Sequence, residues 1–267
     1  MSIFYLLLVA LIQGITEFLP VSSSGHLILL PQLTGMQDQG LTIDVAVHVG
    51  TLGAVILFFW SDVKAGLAGI PRMLTGRIDT QGSKLAFLLL VATIPVIIVG
   101  LIAKVTGLSD AMRSITVIGW TMLIFGLVLY WFDKKGSYVK TASDWNRRDA
   151  IILGLWQAIA IIPGTSRSGI TITGARALGY AREDSAKIAM LMSIPTIMAS
   201  GLLLGVDVVG EANIDMMKLA ALGAIFAFIA ALLALTLMMR LLRSVSYAPY
   251  VYYRVILGLI LLTIAYT

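Results

Sequence analysis

Glu17, Ser23 and His26 fall in one short polar stretch and Arg167 in another, in a chain where 59% of residues are hydrophobic and only 12% are charged. A carboxylate, a hydroxyl, an imidazole and a guanidinium together could carry acid/base and nucleophilic chemistry on an anionic substrate. Ser23 and His26 are three residues apart, so one helical turn would put them on a common face. A central arginine in a membrane chain costs about 2.5 to 3.5 kcal/mol on insertion scales, so Arg167 should face the interior with a partner. Two partners compete. Arg167 either pairs with Glu17, or grips an anion while Gly164, Ser166, Ser168 and backbone amides at a helix start complete a phosphate cradle. The guanidinium fork matches phosphate oxygens better than a lysine would. Glu17 would then be surplus negative charge beside the anion unless a divalent cation lies between them. Mg²⁺ or Ca²⁺, hard cations that prefer oxygen ligands, would reconcile the two. Arg254, near the start of the last apolar segment, either snorkels to the interface or helps neutralise the same anion.

The two polar stretches share a layout: glutamine, apolar approach, proline, then a run rich in Ser and Gly. Gln13 to Pro20 and Gln157 to Pro163 differ in spacing by one residue. A duplicated polar loop flanked by apolar helices points to two halves meeting at one site. The remaining apolar segments, at 43–60, 85–103, 115–132, 187–206, 218–239 and 250–266, are long enough to cross a hydrocarbon layer of about 30 Å. Pro95 and Pro195 fall inside two of them and predict kinks. Counting the two polar stretches as full spans gives eight crossings. The better reading makes them re-entrant hairpins, because prolines and Ser/Gly runs interrupt them midway, and non-helical backbone at that depth survives only under protein cover or beside water.

The expected fold is therefore an all-α polytopic inner-membrane protein, with six transmembrane helices and two re-entrant hairpins in an inverted repeat. The repeats cover about 1–132 and 150–267 and are joined by a basic loop. Basic residues crowd segments 61–84, 134–148, 176–187 and 240–243, against Lys104, Arg113 and Lys218 on the other face. The positive-inside rule makes the first set cytoplasmic and puts both termini outside. The net charge of +5 belongs to those loops, so membrane lipids, not nucleic acid, are the expected partners. Without cysteine the redox compartment is unreadable, and an apolar start running into Glu17 without a basic lead does not resemble a signal peptide. His48, four residues after Asp44, reads as part of an interior polar stripe. Gly201 and Gly205 form a GxxxG pattern, a helix-packing signal compatible with a homodimer.

Gln13 and Glu17, the following Pro20-Val-Ser-Ser-Ser-Gly-His26, and Pro163-Gly-Thr-Ser-Arg-Ser-Gly-Ile-Thr171 resemble the signature regions of bacterial undecaprenyl-diphosphate phosphatases of the bacitracin-resistance type. The resemblance covers nearly the whole chain. It implies hydrolysis of undecaprenyl diphosphate at the outer face of the plasma membrane, recycling the lipid carrier for peptidoglycan synthesis. It implies catalytic roles for Glu17, Ser23, His26 and Arg167 and hydroxyl contacts from Ser166, Ser168 and Thr171. Gln13 stands where many relatives carry glutamate, and with Glu17 it is the candidate metal ligand. Ser23 assisted by His26 is the expected nucleophile, with a histidine nucleophile as the alternative. A polyprenyl-phosphate transporter or flippase would share the broken helices and inverted repeat. A second class of lipid phosphatases needs a histidine six residues after the arginine, where this chain has Thr173.

Overall fold

The computed structural model describes residues 2–135, 139–208 and 214–267. Its α-helices are α1 (Ile3–Thr16), α2 (Ser23–Thr34), α3 (Leu41–Phe58), α4 (Trp60–Leu74), α5 (Gln81–Val105), α6 (Leu108–Ala111), α7 (Ile115–Lys135), α8 (Arg147–Ala158), α9 (Arg167–Ala177), α10 (Arg182–Val208), α11 (Ile214–Leu241) and α12 (Ala248–Tyr266). Among the described residues the only extended pairing is one isolated bridge between Lys140 and Tyr180. The chain is an all-α polytopic membrane protein. Six helices, α3, α5, α7, α10, α11 and α12, are long and apolar enough to cross a bilayer, one for each expected segment. Most run a few residues beyond the apolar stretch, because polar caps extend the helix past it. Thr80, for example, starts α5 with a capping box closed by Ser83. Helices α5 and α10 continue through Pro95 and Pro195 without a break.

Helices α1, α2, α8 and α9 have 14, 12, 12 and 11 residues. Each is too short by itself for a span of about 20 residues. Both pairs dock through a glycine. A Cβ on Gly14 would sit 2.7 Å from the Ala227 carbonyl oxygen of α11, and one on Gly154 would sit 2.6 Å from that of Ala92 in α5. Those close approaches fix where α1 and α8 deliver the polar loops.

The segment 61–84, expected as a loop, instead folds largely into α4. Its Gly69 lies where a Cβ would come 2.2 Å from the backbone of Gly82 and Ser83, so small residues let α4 pack flat against α5. Its Ala65, Gly66 and Gly69 spacing was the available sign. A buried ion cluster closes the same end of the molecule. Asp133 accepts from Arg176 Nε (3.0 Å) and Arg182 Nε (2.9 Å), tying α7 to α9 and α10. Gly201 of α10 packs against nothing within 4 Å, so the expected helix contact is not made there, and the side-chain position of Gly205 lies outside the described residues.

Candidate active site

The site begins with two strained serines. Ser22 (φ 73°) and Ser166 (φ 71°) are the only non-glycine residues with positive φ among the described residues. Such a conformation costs on the order of 1 to 3 kcal/mol and persists only where the surroundings enforce it. Each serine caps the helix that follows: Ser22 Oγ accepts from Gly25 N–H at 3.3 Å, and Ser166 Oγ from Gly169 N–H at 3.1 Å. Aligned on these caps, the loops lose their one-residue offset, since Gln13 and Gln157 each stand nine residues earlier. Ser23 and Arg167 then occupy equivalent positions, the first residues of α2 and α9. Helix N-termini present unpaired N–H groups and a positive dipole end, so both loops favour an anion.

A frame behind the loops holds them together. Arg254 is fully buried and donates to the carbonyls of Pro20 (3.2 Å) and Gly164 (3.1 Å), one from each loop, and to those of Thr121 and Met122. Ser168 Oγ donates across to the Leu19 carbonyl at 2.9 Å. Gly164 (φ +85°) fits against Ile118 and Thr121, where a Cβ would come 2.2 Å from the Thr121 hydroxyl. Thr171 is fully buried. Of the residues expected to touch substrate, Ser166 lines the cavity, whereas Gly164, Ser168, Thr171 and Arg254 stand behind it. Arg254 neither snorkels nor faces the anion, because backbone carbonyls take its donors.

The cavity, about 190 Å³, is lined by Glu17, Ser23, His48, Ser166, Arg167 and Thr196 among others. Glu17 is its hub. One carboxylate oxygen accepts from Ser23 Oγ at 2.5 Å and from Gln13 Nε2 at 2.8 Å; the other accepts from Arg167 Nη2. Arg167 Nη1 also donates to the Ser193 carbonyl at 3.3 Å. The sequence left open whether Arg167 meets Glu17 or an anion; in the structure it meets Glu17.

His26 is not brought to Ser23. Its Nδ1 lies 2.6 Å from the Ser22 carbonyl, which can only accept, so Nδ1 carries the proton and Nε2 accepts from the Tyr253 hydroxyl at 2.5 Å. Side chains on a helix lean toward its N-terminus, and the ring reaches four residues back instead of sideways to the serine. The histidine that lines the cavity is His48, with Nε2 3.8 Å from Glu17 and Nδ1 2.7 Å from the Asp44 carbonyl. Its position on the polar stripe of an apolar span was the signal. Thr196 and Ser200, one turn apart on α10, also line the cavity and were not singled out.

The donors beside Ser23 fit a hard divalent cation shared with a substrate. Gln13 Oε1 is buried without a hydrogen-bond partner, next to a single carboxylate. Among the described residues no group of three or more His, Cys, Asp or Glu gathers to hold a metal alone. Mg²⁺ sites built from one carboxylate plus substrate phosphates have this composition.

Residues 6–260 match the model of the family described as bacitracin resistance protein BacA. Similar proteins include ones named undecaprenyl-diphosphatase from Ruegeria pomeroyi, 69% identical over the full length of both chains, and from a Jannaschia species, 68% identical over both full lengths. A Rhodospirillum rubrum protein named undecaprenyl-diphosphatase 1 is 43% identical over all of this chain and 96% of its own.

Proposed function

The chain belongs to the bacitracin resistance protein BacA family, and from that membership we propose how its cavity works as an undecaprenyl-diphosphatase. It hydrolyses undecaprenyl diphosphate to undecaprenyl phosphate and inorganic phosphate. The observation that carries the mechanism is the short Ser23–Glu17 hydrogen bond at the start of α2, with Arg167 on the same carboxylate. As substrate enters, Arg167 exchanges Glu17 for the phosphate oxygens, and amides at the starts of α2 and α9 take the remaining charge. Ser23 Oγ attacks the terminal phosphorus while its proton passes to Glu17. The bond to the bridging oxygen breaks, and undecaprenyl phosphate leaves. Glu17 gives that proton to the departing phosphate, then takes one from the water that attacks the phosphoserine and returns it to Ser23 Oγ as inorganic phosphate leaves. His26 acts on the frame, holding the Ser22 carbonyl and with it the cap that aims Ser23. Glu17 and Gln13 would hold Mg²⁺ or Ca²⁺, which supplies charge neutralisation on the phosphate oxygens.

The two helix pairs serve as re-entrant hairpins of an inverted repeat. Supporting this are their short lengths, the matching strained caps, and the docking of α1 on α11 as α8 docks on α5. The basic loops favour an inner-membrane orientation with the cavity and both termini facing outward. Purified full-length protein in detergent should release phosphate from undecaprenyl diphosphate without any gradient, and a chelator should abolish it. A carrier would release none. Full activity in chelator would remove the cation from the mechanism while leaving the serine chemistry in place.

A further inference from the structure

We propose that the seam between α5 and α10 seats the first isoprene units of the substrate, a reading that rests on the diphosphatase activity above. At one end the two helices pack tightly, with Leu88 and Ala92 against Ile188 and Met192 in a shared core cluster. At the other they part, leaving a groove of about 600 Å³ lined by Val96, Gly100 and Leu101 of α5 and Ala199 and Leu203 of α10, with Ile161 beside them. Val96, Ile161, Thr196 and Ser200 line both this groove and the catalytic cavity, so the two adjoin across these side chains. Gly100 keeps the passage open, because a Cβ there would already touch Ile161 Cδ1 at 3.4 Å and a longer side chain would fill the space.

The matching seam of the other repeat is shut. When the strained serine caps are aligned, α3 corresponds to α10 and α11 to α5. Between α3 and α11, a Cβ on Gly50 would lie 2.1 Å from the Ala224 carbonyl oxygen, and one on Gly53 would lie 3.3 Å from the Phe228 ring. One seam is thus sealed by backbone contact, while its counterpart opens beside Arg167.

An apolar groove between two membrane-spanning helices that adjoins a polar anion cavity fits one occupant, a lipid whose phosphate enters the cavity while its chain stays in hydrocarbon. Drawing the chain into water instead would expose apolar surface. The polar end of the substrate goes to Arg167 and Ser23, and the prenyl chain leaves sideways past Gly100.

The test uses the full chain in detergent with an undecaprenyl diphosphate carrying a diazirine near its first isoprene units. Residues 96–104 and 196–203 should be labelled, and unmodified undecaprenyl diphosphate should prevent it. In parallel, Gly100→Phe should lower the ratio of kcat/KM for undecaprenyl diphosphate to that for inorganic diphosphate, which carries no prenyl chain to enter the groove, by about tenfold or more. Ile229→Phe, on the exposed face of α11, should leave that ratio unchanged. The proposal is overturned if the ratio is unchanged in Gly100→Phe. It is equally overturned if a diazirine phospholipid labels the groove and undecaprenyl diphosphate does not displace it, which makes the groove an ordinary lipid crevice, or if the probe crosslinks these residues to a second chain. If wild type releases phosphate from neither substrate, the diphosphatase reading fails instead, and photolabelling still reports separately on the groove.

Discussion

Glu17→Gln separates chemistry from architecture, because the carboxylate serves both Ser23 and Arg167. The amide is isosteric but keeps one acceptor oxygen for the three donors, from Gln13, Ser23 and Arg167, that now share a carboxylate. If Glu17 takes the Ser23 proton, kcat falls by about 10² to 10⁴, the usual worth of general-base assistance, or roughly 2.7 to 5.5 kcal/mol of barrier. Binding should move the other way. With its carboxylate partner gone, Arg167 no longer has to be drawn off Glu17, so at saturating divalent cation a non-hydrolysable diphosphate analogue should bind as well as or better than it does to wild type, while the cation concentration for half-maximal binding rises. The assay is phosphate release by purified protein, paired with analogue Kd and a thermal unfolding check. Ser23→Ala should lose at least as much activity, and the double variant should be no slower than Ser23→Ala alone, because residues acting as one unit are not additive. Retention of more than about a tenth of kcat in Glu17→Gln would refute the base assignment, as would a double variant that multiplies the two single losses.

Arg167→Lys keeps the charge but not the fork and should cost at least about tenfold in kcat/KM, roughly 1.4 kcal/mol; near wild-type kinetics in a folded protein would end the phosphate-grip role. Asp133→Ala removes the carboxylate shared by Arg182 and the fully buried Arg176 and should destabilise the fold by about 3 to 5 kcal/mol, read as a lowered unfolding midpoint in detergent. A loss under about 1 kcal/mol would place that cluster among the ion pairs that contribute little. The chain lacks cysteine, so single cysteines report topology without background. Cysteines at Ser2 and Ser109 should react with an impermeant thiol reagent from outside, and one at Ser24 should do so unless a diphosphate analogue protects it. One at Ser143 should react only after the inner membrane is breached; the opposite pattern at Ser109 and Ser143 would reverse the orientation.

The spans were legible because their signal is length and hydropathy, which need no knowledge of neighbours. Arg167 was legible only as a guanidinium among apolar helices that must find a partner; that the partner is Glu17 was left open, since an anion satisfies the same donors. Ser23 and His26 were not paired as their spacing suggested. Spacing fixes an angle around the helix, but the atoms actually met are supplied by the Ser22 carbonyl and by Tyr253 on α12, which is distant in sequence. Arg254 misled for the complementary reason. Its charge invited an anion, and what it found was carbonyls that only the folded loops present. The register of the two polar loops was hidden by their prolines, which are offset by one residue, and became visible only through the shared backbone strain of Ser22 and Ser166.

The carbonyls gathered by Arg254 come from Pro20, Thr121, Met122 and Gly164, while the arginine itself sits on the last helix of the chain. During synthesis Ser23 and Arg167 are therefore both made and inserted before the clamp that joins their loops exists. A chain still lacking α12 leaves the loop carbonyls of Pro20 and Gly164 without the donor that joins them, so the site should acquire its geometry only when α12 enters the membrane. Quality control is thereby built into the order of translation: a chain that stalls or is clipped before residue 248 should be silent, not a partly active hydrolase loose among the cell's lipids.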